Sequence, residues 1–512
     1  MLDVKNYESY DYLDVTSSYG IFSEEIPKHS SSGEEFPGFV LMGDVPKLKD
    51  SIFSMFLVIL LVSVVCSVIS VAFREGVRIE KVKQFISSHF CFILVGVIMA
   101  GMEWLIVPMD KIRKEDQIQI DGETFQTVLI PLVFDAVYTL YHQNTLRQVI
   151  PILTFSLLIN ILILPALSFL VKFIAIEFQK NEVSFFTQPL MFSSVSNFIS
   201  LRAAFSVFEE EDGKRYLRYF YLLLGFHFLS NIVTEEIQTI AEKLDVTPVP
   251  TVFHVLPVIT ITLLKIPCSG IVGVVSGLLT VFMSRYTRRA EGSKYYEVYV
   301  VIFGILFSYF LSSYLVLQRT LGALVCGLIQ MRYMFPNLSS DNTRAVKLVA
   351  RTLSLSLEQL FYVFVGYKLI FRLDLRSFKL SIITLVFSCI LKSLLTFIVA
   401  SIHNWTRLKK IGIHVQALLV FGSLRGPRCI VTATQIYSDN DPIGRNFLNS
   451  QFFLIALSTV FDSIIAKLLV REILHRPERH NSEDLPARSG VMEALCKWLR
   501  SREKKIYKFL VE

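Results

Sequence analysis

Long apolar segments separated by short polar loops recur along almost the whole chain. Lipid requires every backbone polar group to be paired within a spanning segment, and a helix of about 20 residues is long enough to cross it. The pattern therefore predicts an all-α polytopic membrane protein with about thirteen transmembrane helices. The predicted spans lie near residues 51–73, 89–107, 124–142, 150–176, 186–208, 215–234, 251–284, 295–317, 319–334, 351–371, 378–402, 411–437 and 447–470.

Polar ends flank the predicted transmembrane domain, residues 51–473. Residues 1–50 are acidic and lack the basic, short apolar start of a signal peptide, so they predict a flexible tail outside the membrane. Residues 474–512 predict a short basic cytoplasmic tail. Within this tail, residues 491–510 have the spacing of an amphipathic helix.

Composition supports the membrane assignment, and loop charge orients the chain. The sequence is 53% hydrophobic and 19% charged, and its mean hydropathy is +0.52. Lys and Arg prefer cytoplasmic loops, and nineteen of them fall on one side of the predicted membrane against ten on the other. This difference predicts an outer N-terminus and a cytoplasmic C-terminus. The basic C-terminal end is in keeping with anionic lipid, so we expect a lipid bilayer as a partner and no nucleic acid.

Ionisable residues inside the spans are the candidate functional groups. Each costs about 3 kcal/mol on insertion scales and usually faces a cavity or a partner, although an ordinary salt bridge or a snorkelling side chain is the alternative for each. We expect Glu358 and Arg425 to pair, because they are opposite charges on apolar helices. The full set is Asp135, Arg202, Lys265, Glu358, Lys392, Arg425, Arg428 and Asp462.

The sequence shows none of the nucleotide-binding, nucleophile-elbow or zinc-protease motifs. We therefore expect neither an enzyme nor a cofactor or resident metal. Transport or signalling by a passive helical bundle is the class of function that remains.

Four segments carry a family resemblance: LIPLVFDAVY at 129–138, VFEE at 207–210, LEQLFYVFVGY at 357–367 and FGSLRGPR at 421–428. Their order and spacing resemble the sodium/proton exchangers of the animal plasma-membrane type, which are monovalent cation/proton antiporters. The resemblance implies an inverted-repeat antiporter fold with two discontinuous helices that cross near the middle of the membrane. It also implies exchange of sodium or another monovalent cation for a proton, in the service of intracellular pH and sodium homeostasis.

The same resemblance implies partners and a location. It implies a homodimer and a calcineurin-B-like EF-hand protein on the proximal tail, for which residues 491–510 are the candidate site. A membrane-surface helix is the alternative for that segment. The plasma membrane is the implied location, with an endosomal membrane as the alternative.

The transport site departs from the family pattern. Counting back from VFEE puts Ser200 where the exchangers carry the cation-binding aspartate and Leu201 where a proline follows. Counting from Gly225, the family's next acid and its Asn-Asp pair correspond to Phe226, Ser230 and Asn231. The chain is therefore identified as a divergent member that lacks the core cation-binding carboxylates. The membrane charges Asp135, Glu358 and Arg425 are retained.

Arg202 has two alternative roles at this point. Its guanidinium either fills the cation site permanently or points towards the acids of residues 209–211 at the inner mouth. Three functions follow from these residues. The chain is an exchanger with an altered site, a transport-incompetent relative that regulates or binds a partner, or a carrier for an anion or neutral solute attracted by Arg202.

Overall fold

The computed structural model describes the helical part of the chain. It covers residues 64–65, 67–69, 72, 88–106, 130–140, 148–178, 187–208, 214–245, 252–289, 294–406, 411–437 and 441–475. The tail predicted at residues 1–50 lies outside the described residues, as do residues 476–512 of the tail predicted at 474–512 and Glu209–Glu211. Over the described residues the regular structure is helical, apart from one isolated antiparallel bridge between Ile199 and Arg425.

From Ser88 onwards, fourteen α-helices occupy the described residues. Their bounds are α1 Ser88–Ile106, α2 Ile130–Leu140, α3 Val149–Phe178, α4 Thr187–Asn197, α5 Ala203–Val207, α6 Lys214–Asp245, α7 Val252–Arg289, α8 Lys294–Tyr314, α9 Arg319–Ile329, α10 Ser340–Phe371, α11 Leu375–Thr406, α12 Ile413–Phe421, α13 Pro427–Ile436 and α14 Pro442–His475. A π-helical turn, Gln330–Met334, and a 3-10 turn, Phe335–Asn337, connect α9 to α10.

Six helices of the described residues are long and apolar enough to cross a membrane, namely those that include Val149–Ile174, Val255–Tyr286, Tyr296–Tyr314, Ser340–Phe371, Leu375–Trp405 and Ile443–Ile473. Two shorter apolar helices, His89–Met102 and Ile130–Leu140, accompany them. These helices confirm the prediction of an all-helical, multi-pass membrane protein. The total of about thirteen spans stays a prediction.

Two predicted spans are each split into a pair of helices. The span 186–208 consists of α4 and α5, with Phe198–Arg202 between them outside the α-helix. The span 411–437 consists of α12 and α13, separated at Gly422–Gly426. Pro427 begins α13, where its missing N–H costs no helical hydrogen bond. Both interruptions are buried.

Helix α10 is fixed by a close contact with α1. A Cβ atom on Gly366 would collide with the backbone of Ile93, and one on Gly96 would collide with the backbone of Val363. The two glycines therefore let the helix backbones touch. This contact sets the position of Glu358, which α10 carries two turns before Gly366.

Candidate functional site

The two interruptions contact each other in the interior of the protein. Ile199 and Arg425 form the antiparallel bridge, and the backbone N–H of Ser200 donates to the Leu424 carbonyl at 2.8 Å. A Cβ atom on Gly426 would lie 2.5 Å from the Ser200 Cα, so this approach requires a residue without a side chain. Non-helical backbone at membrane depth needs such protein partners, because lipid supplies none.

Asn231 holds the first interruption in place from helix α6. Its Oδ1 accepts from the Ile199 backbone N–H at 2.8 Å, and its Nδ2 donates to the Ile199 carbonyl at 2.7 Å. Both ends of the amide are therefore used by one backbone residue. The structure assigns Asn231 a scaffolding contact, at a position where the resemblance implies a cation-site residue.

Ser230 belongs to a chain of buried polar side chains. Asn160 of α3 donates to the Ser230 hydroxyl at 2.5 Å, and Asn197 donates to the Asn160 carbonyl oxygen at 2.6 Å. Asn197 also reaches Thr234 at 3.4 Å. The network ties α3, α4 and α6 together around the interruption.

Arg202 lies at the centre of the site, and its guanidinium points into the protein. Its Nη1 is 2.7 Å from Asp135 Oδ2, and its Nε is 3.0 Å from Glu358 Oε2. Nη1 also lies 3.3 Å from the Ser354 hydroxyl. Arg202 is 5% exposed and both carboxylates are buried, so these ion pairs are sequestered from solvent.

Ser200 completes this constellation, which we call the Arg202 cluster: Asp135, Ser200, Arg202, Ser354 and Glu358. The Ser200 hydroxyl donates to Glu358 Oε1 at 2.7 Å, so the two oxygens of Glu358 bind different partners. Helices α2 and α10 and the α4–α5 interruption each contribute to the cluster. Of the two roles predicted for Arg202, the geometry supports the one in which the guanidinium occupies the interior.

A second guanidinium stands beside the cluster. The guanidinium groups of both Arg202 and Arg351 lie over the Phe205 ring, with Cζ atoms 5.2 and 5.8 Å from its centroid. Arg351 interacts electrostatically with Asp135, and its carbonyl lies 3.4 Å from Arg202 Nη1. Two guanidinium groups thus accompany two carboxylates.

Phe226 and Leu201 contribute no polar atom from their side chains. Both are buried in the main apolar core, with exposed fractions of 4% and 8%. The aromatic ring of Phe226 lies where the resemblance implies an acid. Apolar packing therefore occupies two positions that the resemblance assigns to the family's site.

The expected pairing of Glu358 with Arg425 is wrong. Glu358 is held by Arg202 and Ser200, whereas Arg425 donates from Nε to the Ser196 carbonyl at 2.8 Å and from Nη2 to the Ser388 hydroxyl at 2.7 Å. Its Nη1 lies 3.9 Å from Asp462. The reason is geometric: α4 and its interruption supply a nearer partner to each residue, the Ser196 carbonyl to Arg425 and Arg202 with Ser200 to Glu358.

A further ion pair joins α13 to α6. Arg428 Nη2 is 2.6 Å from Glu235 Oε2, and Thr320 at the start of α9 contacts both groups, at 3.1 Å from Arg428 and 3.2 Å from Glu235. The Arg428 guanidinium also lies over Phe198, 5.0 Å from the ring centroid. The sequence marks Arg428 as a membrane charge but does not identify Glu235.

Sequence reasoning also missed polar residues that support the charges. Ser354 and Tyr362 lie one turn before and one turn after Glu358 on α10, and the Tyr362 hydroxyl donates to the Arg425 carbonyl at 3.2 Å. Residues four positions before and after a membrane charge lie on the same face of a helix, and this spacing is the signal that would have identified Ser354 and Tyr362. Asn160, an isolated amide in the apolar helix α3, was a visible signal of the same kind.

Comparison with known proteins places the chain among ion exchangers. Residues 66–472 match the family described as sodium/hydrogen exchanger, transmembrane. An uncharacterised Na(+)/H(+) antiporter of Schizosaccharomyces pombe is 24% identical over 345 residues, which are 65% of this chain and 57% of that protein. Human sodium/hydrogen exchanger 3 is 22% identical over 305 residues, which are 58% of this chain and 35% of that protein.

The matched region spans less than two thirds of the length of these curated relatives, 57% of the first and 35% of the second. Among solved structures, the sodium proton antiporter MjNhaP1 of Methanocaldococcus jannaschii at pH 8 is similar, with a TM-score of 0.59 and 15% identity. The similarity covers 83% of this chain and 100% of that one. At this identity it shows that the fold is shared.

Proposed function

The chain belongs to the sodium/hydrogen exchanger family of membrane transporters, and on this premise we propose that its central site no longer exchanges a free cation for a proton. The observation that carries the proposal is the position of Arg202, whose guanidinium contacts Asp135 at 2.7 Å and Glu358 at 3.0 Å in a buried setting. A guanidinium remains protonated at every physiological pH. Arg202 therefore acts as a tethered cation in the place of a transported one.

Charge balance supports this proposal. The carboxylates of Asp135 and Glu358 carry two negative charges, and the guanidinium groups of Arg202 and Arg351 carry two positive charges. A free cation entering this low-dielectric space would meet the Arg202 guanidinium, which already pairs with both carboxylates, and the exposed guanidinium of Arg351 beside them. Competition between a proton and a free cation for one of these acids would first have to displace Arg202.

The neutral side chains at the positions that the resemblance assigns to the cation site also favour a structural role without a bound cation. A sodium ion needs several oxygen ligands that are free to turn towards it, by the same logic that governs other hard cations. Here the Ser200 hydroxyl donates to Glu358, and Asn231 Oδ1 accepts from the Ile199 N–H. Coordination would require both of these contacts to be given up.

We infer that the chain acts as a regulatory or partner-binding membrane protein. Family membership supports a homodimer, a plasma-membrane location and an EF-hand partner on the tail near residues 491–510. It also supports the thirteen-span, inverted-repeat arrangement, in which α4–α5 and α12–α13 are the two discontinuous crossing helices. An outer N-terminus and a cytoplasmic C-terminus complete the proposal.

Altered exchange is the second candidate, and one observation favours it. The carboxylates of Asp135 and Glu358 converge on the space that the Arg202 guanidinium fills, and the Ser200 hydroxyl binds the other oxygen of Glu358. If that side chain withdrew, an oxygen-lined site with two carboxylates would remain. Carriage of an anion by Arg202 is less favoured, because its donors are directed at carboxylates.

Intracellular pH recovery after an ammonium pulse tests the proposal. The chain is expressed in exchanger-deficient cells at confirmed surface level, and recovery is recorded with and without external sodium. We expect no sodium-dependent recovery. Brisk sodium-dependent recovery that disappears in Asp135→Asn would overturn the proposal in favour of the second candidate.

Two further variants make this measurement decisive. Arg202→Met removes the tethered cation, whereas Arg376→Met removes an exposed arginine at the start of α11 and serves as the matched control. We expect the control to behave as the parent chain does. Sodium-dependent recovery in the parent that is lost in Arg202→Met would show that the guanidinium serves transport rather than blocking it.

A further inference from the structure

The ion pair between Glu235 and Arg428 is closed by the first turn of α9. The Thr320 hydroxyl donates to Glu235 Oε2 at 3.2 Å and accepts from Arg428 Nη1 at 3.1 Å, while Arg428 Nη2 lies 2.6 Å from the same Glu235 oxygen. Thr320 is only 3% exposed. Helices α6, α9 and α13 therefore meet at three side chains that contact one another directly.

Gln318, which precedes α9, extends this network. Its Nε2 donates to the Ile232 carbonyl at 3.1 Å and lies 3.3 Å from Glu235 Oε2, and its backbone N–H donates to the Ser269 hydroxyl of α7 at 2.9 Å. One carboxylate oxygen thus receives donors from α13, from α9 and from the residue before α9. Hydrogen bonds to a charged group are the stronger ones. We call Glu235, Gln318, Thr320 and Arg428 the Glu235 group.

The helices that meet at the Glu235 group belong to two differently packed sets. Helix α9 packs closely on α7 and α8, and a Cβ atom on Gly273 of α7 would lie 2.6 Å from the Gly322 carbonyl oxygen of α9. Helix α6 packs chiefly on α3 and α4, and α13 packs on α4 and α14. The Glu235 group therefore joins the α7–α9 set to the helices around the two interruptions.

This ion pair lies nearer the protein surface than the Arg202 cluster does. The side chains of Glu235 and Arg428 are 16% and 19% exposed, whereas the charged side chains of the Arg202 cluster are 6% exposed or less. Separation of a fully enclosed pair leaves each charge uncompensated in the interior, and that cost falls for a pair at the accessible edge. The Glu235 group is therefore the ionic contact that can open at lower cost.

We propose that the Glu235 group is a latch that holds the α7–α9 set against α6 and α13. Arg428 is suited to this role because its guanidinium binds Glu235 and Thr320 at once and lies over Phe198 of the first interruption, 5.0 Å from the ring centroid. While the latch is closed, the start of α9 is fixed to both discontinuous helices. When it opens, the two sets separate at this edge and Thr320 becomes accessible.

The latch goes beyond the proposed function and does not depend on it. The Arg202 cluster joins α2 and α10 to the α4–α5 interruption and shares no residue with the Glu235 group. A latch at this edge would restrict movement between the two sets whether or not the chain exchanges cations. Failure of either proposal leaves the other intact.

Thiol labelling at the start of α9 tests the latch. Thr320→Cys keeps a small hydrogen-bonding group, and its reaction with a maleimide is followed in the purified full-length chain by peptide mass spectrometry. We expect slow labelling at position 320, because that side chain is buried. Adding Glu235→Gln or Arg428→Gln should accelerate it about tenfold or more, since an opening equilibrium shifts by about that factor when a hydrogen bond to a charged group is lost.

A charge exchange separates a latch from general damage. Glu235→Arg places two guanidinium groups together and should also accelerate labelling, whereas adding Arg428→Glu restores an opposite pair and should slow it again. Arg319→Gln is the matched control, because the Arg319 guanidinium lies 6.0 Å from the ring centroid of Tyr309 on α8, within the α7–α9 set. Labelling at position 320 should stay slow in this control.

Cys326 on α9 is the internal reference for unfolding. It is fully buried, and its Sγ lies 3.4 Å from the Gly304 carbonyl oxygen of α8, so it should stay unlabelled while the α7–α9 set remains packed. Unchanged labelling at position 320 in both Gln variants would overturn the latch. Equal acceleration at position 320 and at Cys326 would also overturn it, because the α7–α9 set would then be loosening as a whole. If the charge-reversed chains do not fold, the two Gln variants and Arg319→Gln decide the question.

Discussion

Removing the guanidinium of Arg202 should strongly destabilise the protein. In Arg202→Met, Asp135 and Glu358 lose their direct ion-pair partner while their side chains remain only 6% and 1% exposed. Breaking a buried ion pair by deleting one partner costs about 3–5 kcal/mol, because the other charge is left uncompensated. Arg351 offsets part of this cost, since it interacts electrostatically with Asp135.

The loss should be reversed when the carboxylates are neutralised too. Adding Asp135→Asn and Glu358→Gln to Arg202→Met leaves a polar cluster without charge, and coupling between contacting residues is about 0.5–3 kcal/mol. The triple variant should therefore be more stable than Arg202→Met alone. Glu358→Gln keeps an acceptor for the Ser200 hydroxyl, so that hydrogen bond is retained.

A free cation should stabilise Arg202→Met but not the parent chain. The variant leaves two carboxylates and the Ser200 hydroxyl around an empty space, which suits sodium or lithium. At ten times the dissociation constant the gain is about 1.4 kcal/mol. The parent should show no such gain, because its tethered cation already fills the space.

The stability of all these chains is measured in one detergent from size-exclusion profiles after heating. Arg376→Met is the control for loss of an exposed arginine. Sodium is exchanged for N-methylglucamine at constant chloride, so that anion effects stay fixed. The reasoning fails if Arg202→Met matches the control in stability. It also fails if the carboxylate substitutions only add further losses, or if sodium stabilises the parent and the variant equally.

Three other predictions concern the scaffold and the topology. Gly426→Ala should abolish folding or severely reduce folded yield, because the new Cβ would lie 2.5 Å from the Ser200 Cα. Gly412→Ala has open space and should be tolerated, so equal yields of the two variants would contradict the close contact. Asn231→Asp should cost about 1–3 kcal/mol because the Ile199 carbonyl loses its donor, measured as a lower Tm, and an unchanged Tm would refute the scaffolding role. Epitope tags before residue 40 and after residue 475 should be accessible on opposite sides of the membrane, and equal accessibility in intact cells would contradict an odd number of spans.

Helices were largely predictable because apolar residues recur over lengths that cross a bilayer. The predicted span 150–176 corresponds to helix Val149–Phe178, and the span 295–317 to Lys294–Tyr314. The span 351–371 was predicted too short, because α10 begins at Ser340 with a polar first turn capped by Ser339. A helix that continues beyond the hydrocarbon carries no hydropathy signal there.

The break within residues 186–208 has no local signal. The segment Phe198–Arg202 contains neither glycine nor proline, and the helix is interrupted because partners elsewhere in the chain replace its internal hydrogen bonds. Asn231 of α6 and Leu424 of the second interruption supply them. Only the family resemblance implied a discontinuous helix; composition and periodicity did not.

The charged residues were predictable one by one, but their pairing was not. Asp135, Arg202 and Glu358 stand out in apolar segments, yet opposite sign alone favoured the wrong pair, Glu358 with Arg425. Pairing depends on which helices are neighbours, and here the α4–α5 interruption brings Arg202 between α2 and α10. Sequence identifies which charges must be compensated, and only the packing of the helices determines by what.

Under the proposed function, a covalently attached cation takes the place of a mobile one, and this changes what the site can do. A cation that binds and leaves makes the two states of a transporter differ in occupancy, and a ligand shifts an equilibrium only through its different affinity for those states. A side chain cannot leave, so Arg202 adds a fixed contribution to whichever arrangement brings α2, α10 and the α4–α5 interruption together. The same residues that hold the discontinuous helices in position would then favour a single conformation, and a partner that recognises that conformation would find it already formed.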